Sequence, residues 1–385
     1  EWLYSNVLYC SLSAINSKIL SKSSSRMPLI DALKAACCLL IVMHHLAMYG
    51  PMSNIAYPLL PVVIDGLREY GRIVVHMFFV ISGFLLAAKL APQGRSIVTH
   101  PMQLIQQRYV RLITPYLVAL TVAIGCAAVA RVWMSHDSIP SAPNFFQLLA
   151  HGLLLHNLLD QEALSAGVWY VAIDFQLFTL AVLLLWVCKH AQVQYPQWHV
   201  TSWLGCVLIF LFTVTSLFYF NRNTFWDETA LYFFGSYGLG ILAYWGTQSR
   251  YRWLWLTVLT GLIILAQMID FRSRLAVAGG TVLLIGLIHY FDVLRHAYVP
   301  KYVTVIGRAS YSIFLIHFPV TLVINAAFFK FLPHQPAVQL CGLVLAIGAS
   351  VCVGILLFKG FEEQPVSKPL HIALPSGFLA SGLLV

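Results

Sequence analysis

Residues 29–48 read Leu-Ile-Asp-Ala-Leu-Lys-Ala-Ala-Cys-Cys-Leu-Leu-Ile-Val-Met-His-His-Leu-Ala-Met, and this stretch decides the fold. Its residues are apolar except for Asp31, Lys34, His44 and His45, so it has the length and composition of a membrane-spanning helix. A charge inside a membrane costs about 2.5–3.5 kcal/mol on insertion scales, so ionisable groups in a span usually mark function. The stretch therefore predicts both a membrane protein and a site.

The spacing of these polar residues predicts which of them act together. Lys34 and His45 are eleven residues apart, close to three helical turns, so both project from one face about 16 Å apart. Asp31 stands three residues before Lys34, where the two side chains can pair. His44 points about 100° away from that face. A lysine that reaches to the membrane surface and a hydrogen-bonded core histidine are the structural alternatives.

Composition extends this reading to the whole chain. The protein has 385 residues, of which 59% are hydrophobic and 10% charged, whereas soluble domains carry about 25% charged residues. The apolar runs predict an all-α, polytopic membrane protein with about ten transmembrane helices in one bundle. The predicted spans are 29–48, 73–91, 112–133, 168–188, 202–220, 229–246, 253–270, 275–291, 309–329 and 337–358.

The basic residues predict the orientation of these spans. Sixteen of the 23 lysines and arginines fall on the side of the membrane that holds both chain ends, so both termini are predicted to be cytoplasmic. The net charge of +9 is then explained by cytoplasmic loops, and no nucleic-acid partner is predicted. The eight cysteines include no Cys-x-x-Cys pair and indicate packing, with neither a disulfide framework nor a metal site.

The regions outside the spans divide the chain further. Residues 1–25 form a leader of unknown role, 26–369 the membrane domain and 370–385 a C-terminal tail. The longest loop, about 134–167, contains an apolar segment at 145–159 that is too short to span comfortably. A re-entrant or interfacial segment is predicted there, with a strongly tilted eleventh span as the alternative.

Two motifs lie on the second and third spans. Ser82 and Gly83 permit close approach by a neighbouring helix or a ligand. Arg108 and Arg111 stand at the start of the third span, share one helical face and can hold phosphates in forked geometry. The alternative is that these arginines only anchor the cytoplasmic end of the span.

The fourth and ninth spans also carry polar groups. Trp169 and Tyr170 suit the aromatic belt of a membrane interface, whereas Asp174, about one turn deeper, needs a partner or water. Tyr311 and His317 are polar within an apolar run, and a satisfied core histidine is the alternative to a functional one.

Together these motifs resemble the acyltransferase family 3, multi-spanning membrane proteins that O-acetylate glycans and related acceptors. The resemblance covers about residues 26–369, and six weak motifs in the family's order make it strong. Lys34 stands where many members have arginine, and Asp174 and Ala172 replace a more usual glutamate and serine. The motifs are Lys34 with His45, residues 78–84, Arg108 with Arg111, Trp169 with Asp174 and Gln176, residues 310–317, and Glu363-x-Pro365.

The resemblance implies a membrane-embedded O-acyltransferase of a bacterial inner membrane. It would move an acyl group, foremost acetyl, from cytoplasmic acyl-CoA (acetyl-CoA) to a hydroxyl of a cell-surface or exported glycan or a lipid-linked saccharide. No cofactor is bound permanently and no metal is expected. His45 and Asp174 are then the catalytic candidates, and Lys34, Arg108 and Arg111 the donor-binding ones. The other candidate pocket residues are Asp31, Ser82, Gly83, Trp169, Gln176, Tyr311 and His317.

Several alternatives stay open at the level of sequence. His45 can act as a general base or carry the acyl group transiently. Asp174 can orient an imidazole or bind acceptor hydroxyls. A transporter or flippase also places charges inside a membrane, although repeated halves are not visible here. A non-catalytic subunit of a polysaccharide export machine is the third function class.

Overall fold

The computed structural model describes residues 27–195, 197, 203–291, 297–364 and 368–384. Over these residues the chain is helical and contains no strand, which confirms the predicted all-α class. The predicted leader, residues 1–25, lies outside the described residues. The region predicted as a C-terminal tail contains most of a helix that packs against the membrane domain.

The helices follow the predicted spans closely. The long helices are α1 (Pro28–Met48), α4 (Val75–Leu90), α5 (Pro101–Trp133), α7 (Val168–Gln194), α8 (Leu204–Phe218), α9 (Ala230–Gln248), α10 (Arg252–Ile269), α11 (Ser273–Tyr290), α13 (Ser310–Phe331) and α14 (Pro336–Leu357). The shorter helices are α2 (Pro51–Ala56), α3 (Pro61–Tyr70), α6 (Phe145–Gly152), α12 (Lys301–Arg308) and α15 (Lys368–Leu383).

Within the described residues, nine helices are long and apolar enough to cross a membrane. The sixth predicted span, 229–246, forms α9, which is not among the nine because it is less apolar. Fifteen of its 19 residues are buried, and it packs against α4, α7, α8, α10 and α11. A helix surrounded by protein can carry small and polar residues that a lipid-facing helix cannot.

Glycines bring α9 into backbone contact with α4. A Cβ on Gly83 would collide with the carbonyl oxygen of Tyr237, and a Cβ on Gly240 with that of Val80. The predicted close approach at Gly83 is thus made by a neighbouring helix. This contact fixes the depth of α4 in the bundle, and with it the position of Ser82.

The other long helices form a second group around α13. Helix α13 packs against α1, α5 and α14, and α12 lies on α1, where Gly307 contacts the backbone of Asp31. We call the end of the bundle where α1, α5 and α13 begin the basic end, and the opposite one the far end. The candidate site lies where the two groups of helices meet.

The loop between α5 and α7 returns into the bundle. Its helix α6 has eight residues, about 12 Å, so it does not form an eleventh span. Its last carbonyl, that of Gly152, accepts a hydrogen bond of 2.6 Å from the hydroxyl of Tyr109. Tyr109 stands 24 residues, about 36 Å along the helix, before the end of α5 at Trp133. The re-entrant interpretation of this segment therefore matches the structure.

Candidate functional site

A cavity of about 290 Å³ lies toward the basic end of the bundle, and we call it the Lys34 cavity. Six elements contribute to it: α1, α4, α5, α7, the junction of α12 with α13, and the turn after α14. Four basic and two acidic side chains line it, together with aromatic rings. The charged lining residues are Lys34, Arg108, Arg111, Arg308, Asp174 and Glu362.

An ion pair between α5 and α7 forms one wall of this cavity. Arg108 Nη2 donates to Asp174 Oδ2 at 2.5 Å, and the Asp174 side chain is only 5% exposed. The second carboxylate oxygen and Arg108 Nε are buried without a hydrogen-bond partner among the described residues. The carboxylate therefore has a guanidinium partner, and the predicted role of orienting an imidazole does not match this geometry.

The other basic side chains differ in how firmly they are held. Lys34 pairs with Asp31 at 3.7 Å, as the spacing predicted, and Arg308 bonds to Glu363. Arg111 is exposed and forms no ion pair or hydrogen bond with a residue that the structure describes. A guanidinium on the wall of a cavity that forms no ion pair or hydrogen bond can bind an anion, although Arg111 also feels the charge of Glu362. The sequence placed Arg111 at the start of a span, whereas α5 begins ten residues earlier, at Pro101.

Sequence reasoning missed a carboxylate on the opposite wall. The α14 helix ends in a π-helical turn, Phe358–Glu362, and Glu362 Oε2 accepts a hydrogen bond of 2.6 Å from Ser312. Single π-helical turns are frequent at functional sites. The Glu363-x-Pro365 motif pointed to this region, yet the side chain that reaches the cavity is that of the preceding residue. Arg308 and Tyr170 were missed as well. In the sequence Arg308 looks like an arginine that anchors a span, and Tyr170 looks like an aromatic residue of a membrane interface.

His45 meets another histidine in the core. Its Nδ1 lies 2.6 Å from His317 Nε2, and the two rings stack at 4.9 Å with an angle of 12°. His317 Nδ1 lies 2.5 Å from the carbonyl oxygen of Phe314, which can only accept. For two neutral rings the hydrogens are thereby assigned: His317 Nδ1–H donates to Phe314, and His45 Nδ1–H donates to His317 Nε2. His45 Nε2 is left as the free base.

The histidine pair lies next to the Lys34 cavity but does not line it. Phe314 does line the cavity, and its ring centroid is 5.8 Å from that of His317. Gly167, with φ of +84°, packs against both Phe314 and His45, and a Cβ there would come within 2.8 Å and 3.3 Å of them. Glycine is therefore required at the residue before α7 by both conformation and space. The cavity and the free base are one side chain apart.

The remaining predicted residues fall into three places. Ser82 and Tyr311 line the Lys34 cavity, and the Tyr311 hydroxyl donates to the carbonyl of Leu112 at 3.0 Å. Gly83 faces α9, as described above. Gln176 is half-buried with its amide nitrogen unpartnered among the described residues, and Asp31 is engaged by Lys34; neither lines a described cavity.

Trp169 and Tyr170 are both half-buried and contact other aromatic rings. Tyr170 packs against Phe79 and Phe314, with ring centroids at 5.0 Å and 5.3 Å, and lines the Lys34 cavity. Trp169 lines a second cavity, of about 770 Å³, at the far end of the bundle. We call it the Trp169 cavity. The place of these two rings in an interfacial belt stays a prediction.

The comparisons with known proteins identify a family. The family model for the acyltransferase family 3, described as an acyltransferase domain, matches residues 28–359, nearly the whole chain. No curated protein and no solved structure matches the chain.

Proposed function

The chain belongs to the acyltransferase family 3, and from that premise we propose that it moves an acyl group, foremost acetyl, from acyl-CoA to a saccharide hydroxyl. The acceptor is a cell-surface or exported glycan, or a lipid-linked saccharide. In this proposal the basic end faces the cytoplasm of a bacterial cell, where acyl-CoA is available, and the protein resides in the inner membrane.

The observation that supports the donor most directly is the charge of the Lys34 cavity. Four basic side chains face two acidic ones, but Lys34, Arg108 and Arg308 are each paired with a carboxylate. Arg111, which forms no ion pair with a described residue, is therefore the group best placed to bind the phosphates of a polyanionic donor. At about 290 Å³ the cavity holds the acyl-bearing end of the donor, with the nucleotide left at the exposed surface near Arg111. The aromatic wall formed by Phe78, Tyr170 and Phe314 excludes water from the thioester.

His45 is the proposed general base. Its free Nε2 takes the proton from the acceptor hydroxyl while the hydroxyl oxygen attacks the thioester carbonyl carbon. The carbon–sulfur bond then breaks, and the proton passes from His45 to the departing thiolate, so the imidazole returns to its neutral state. Transient acylation of the same nitrogen is the alternative, and it requires the same tautomer.

The Arg108–Asp174 pair holds the wall against which the donor lies. Because Asp174 is buried, it keeps Arg108 extended into the cavity at a fixed position, which leaves Arg111 for the flexible nucleotide. Lys34 is held only by a 3.7 Å contact with Asp31, so it can turn toward a donor phosphate or carbonyl. Because Arg108 is held in an ion pair and Arg111 is not, we expect replacement of each arginine to have a different effect on acyl transfer.

The test is acyl transfer by purified protein in lipid nanodiscs, with radiolabelled acetyl-CoA. The Arg108→Lys/Arg111→Lys double variant keeps the positive charges but loses the guanidinium groups that can donate two parallel hydrogen bonds to a phosphate. We therefore expect normal insertion, a raised KM for acyl-CoA and an unchanged KM for the acceptor. Arg250→Lys/Arg252→Lys is the matched control, since neither arginine lines the cavity. An unaltered acyl-CoA dependence would leave Arg108 and Arg111 as topology signals.

The same assay separates the other function classes. A transporter or flippase moves its solute without releasing CoA from acetyl-CoA. A non-catalytic subunit releases no CoA with any acceptor. Acceptor-dependent release of CoA together with labelled saccharide identifies the enzyme.

A further inference from the structure

The Trp169 cavity is not used by the donor or by the base. It has a volume of about 770 Å³, which falls in the usual range for ligand sites, and it is bounded by segments that connect the long helices at the far end. These segments are the end of α3, the re-entrant loop after α6, the connection from α8 to α9, and the connection from α10 to α11.

His156 lines this cavity with both ring nitrogens unsatisfied. The residue is only 1% exposed, and neither Nδ1 nor Nε2 has a hydrogen-bond partner among the described residues. The neighbouring Asn157 carries a buried Oδ1 that also lacks one. Buried polar atoms are nearly always hydrogen-bonded, and leaving one unpaired costs about 1–3 kcal/mol. Two adjacent residues with unsatisfied atoms at a cavity wall indicate a ligand that supplies the partners.

A second histidine holds His156 in place. The rings of His151 and His156 stack at 4.2 Å with an angle of 8°. His151 is fully satisfied, because Nδ1 donates to the carbonyl of Gln147 at 2.8 Å and Nε2 accepts from the Leu164 N–H at 3.2 Å. The His156 ring is thus oriented by a partner that leaves its own nitrogens free.

The charged groups of the cavity indicate which ligands suit it. Its three arginines are engaged by the protein: Arg72 stacks over Trp169 at 4.9 Å, Arg272 bonds to Asp270 at 2.7 Å, and Arg274 bonds to the Tyr232 hydroxyl at 2.5 Å. Its five carboxylates form no ion pair with a residue that the structure describes. They are Glu69, Asp160, Glu162, Asp227 and Glu228.

The carboxylates also crowd one another. Partial burial, and then the charges of Asp227 and Asp160, raise the pKa of Glu228 above its ordinary value. Glu69 accepts a hydrogen bond from Tyr70 and Glu162 accepts one from Ser141, so the carboxylates are not all unpartnered. An excess of carboxylates without an ion pair still favours ligands that bring hydroxyl or ammonium donors. It disfavours ligands that bring further negative charge.

The cavity is adjacent to the histidine pair. Trp169 stands two residues after Gly167, which packs against the His45 ring, and Arg72 follows Gly71, which packs against the His44 ring. A ligand against Trp169 therefore lies on the far-end side of the residues that enclose His45. The donor cavity lies on the other side, beyond Phe314.

We propose that the Trp169 cavity is the acceptor site, selective for an uncharged or amine-bearing saccharide over an anionic one, with His156 and Asn157 as recognition residues. The inference rests on the proposed acyl transfer, because only that function supplies an acceptor. The hydroxyl groups of the saccharide donate to the carboxylates and to His156. The hydroxyl to be acylated is the one that points past Trp169 toward His45.

Binding is measured without donor, by isothermal titration calorimetry on the full chain in nanodiscs. The probes are cellobiose, fully deacetylated chitobiose and digalacturonic acid, which are neutral, amine-bearing and anionic. We expect the first two to bind and the third to bind at least about tenfold more weakly. Equal or tighter binding of digalacturonic acid, or no binding of any probe, overturns the proposal.

His156→Phe keeps the ring stack on His151 and removes both nitrogens, so it separates recognition from folding. We expect it to weaken binding of cellobiose about tenfold, and His156→Gln to restore part of the affinity. His136→Phe, outside the cavity, is the matched control and leaves binding unchanged. Unaltered cellobiose affinity in His156→Phe contradicts the assignment. Saccharide binding without acyl transfer from acetyl-CoA would instead refute the proposed function and leave this site standing.

Discussion

The two cavities of the bundle differ in charge and in the elements that build them. The Lys34 cavity is lined mainly by residues of long helices and holds four basic and two acidic side chains. The Trp169 cavity is lined largely by connecting segments and holds three basic and five acidic side chains. The His45–His317 pair lies between them. In the proposed function, an anionic donor and a hydroxyl-rich acceptor reach one base from opposite ends without competing for one site.

The largest expected effect comes from removing that base. If His45 serves both cavities, His45→Ala lowers kcat for acyl transfer by about 10²–10⁴-fold while the KM values for donor and acceptor change little. His44→Ala is the control and has a milder effect, because His44 Nδ1 only bonds to the backbone carbonyl of Leu67. Near-normal turnover of His45→Ala, measured by radiolabel transfer with folding checked by size exclusion, contradicts the role.

Asp174→Asn tests the wall of the Lys34 cavity. Removing one partner of a buried ion pair costs about 3–5 kcal/mol, and the exposed part of Arg108 reduces this toward the lower figure. We expect a lower thermal unfolding midpoint and reduced transfer, with Asp174→Glu keeping part of both. Unchanged unfolding and unchanged transfer in Asp174→Asn would show that the pair is dispensable.

Substitution of His317 tests whether its hydrogen bond keeps Nε2 of His45 unprotonated. His317→Met removes the acceptor for His45 Nδ1–H, so we expect kcat to fall about tenfold with both KM values retained. His317→Gln offers a carbonyl oxygen in its place and should recover part of the loss, which a purely structural role would not predict. A loss of kcat that is equal in both variants would argue against a shared hydrogen bond.

Salt distinguishes the two cavities without a mutation. Between about 0.01 M and about 0.15 M salt the Debye length falls from about 30 Å to about 8 Å. Binding of a polyanionic donor at exposed Arg111 then weakens several-fold, whereas binding of an uncharged saccharide does not. We expect the KM for acyl-CoA to rise and the acceptor KM to stay constant. Parallel changes in both would erase the contrast between the cavities.

A separate prediction concerns pH and the loop that carries His156. Burial, and then the neighbouring His151, lower the pKa of His156 from 6.5 to about 3, and burial lowers that of His151 to about 4. In the unfolded loop both histidines take up protons near pH 6.5, so stability is full above that pH and declines toward about pH 4. The slope is about 1.4 kcal/mol per pH unit for each histidine.

Hydrogen exchange of residues 145–164 at about pH 7 and about pH 5 measures this decline, with rates corrected for intrinsic exchange. We expect protection to fall at the lower pH in the wild type. It should fall less in His156→Phe, which cannot take up the proton. Equal protection at both pH values would mean that these histidines are not buried in solution.

The fold was predictable from the sequence because membrane spans are defined by local composition. All ten predicted spans contain a helix, and the Gly83 contact was anticipated from one small residue. Helix α9 is less apolar than the other predicted spans. Its Gly, Ser and Tyr residues suit a helix that is surrounded by protein, and only the tertiary structure shows that α4 and α8 pack around it. A sequence window does not show that α7 begins beside His45, or that Trp169 lines a cavity.

The sequence by itself determined which residues share a helical face: Lys34 with His45, and Arg108 with Arg111. Those relations follow from 3.6 residues per turn and need no tertiary structure. Only the tertiary structure decided the partners across helices, such as Arg108 with Asp174, 66 residues apart, and His45 with His317, 272 residues apart. It also decided that Glu362 and His156 face cavities. Helical periodicity gives a direction within one helix, whereas the neighbour met in that direction depends on how every helix packs.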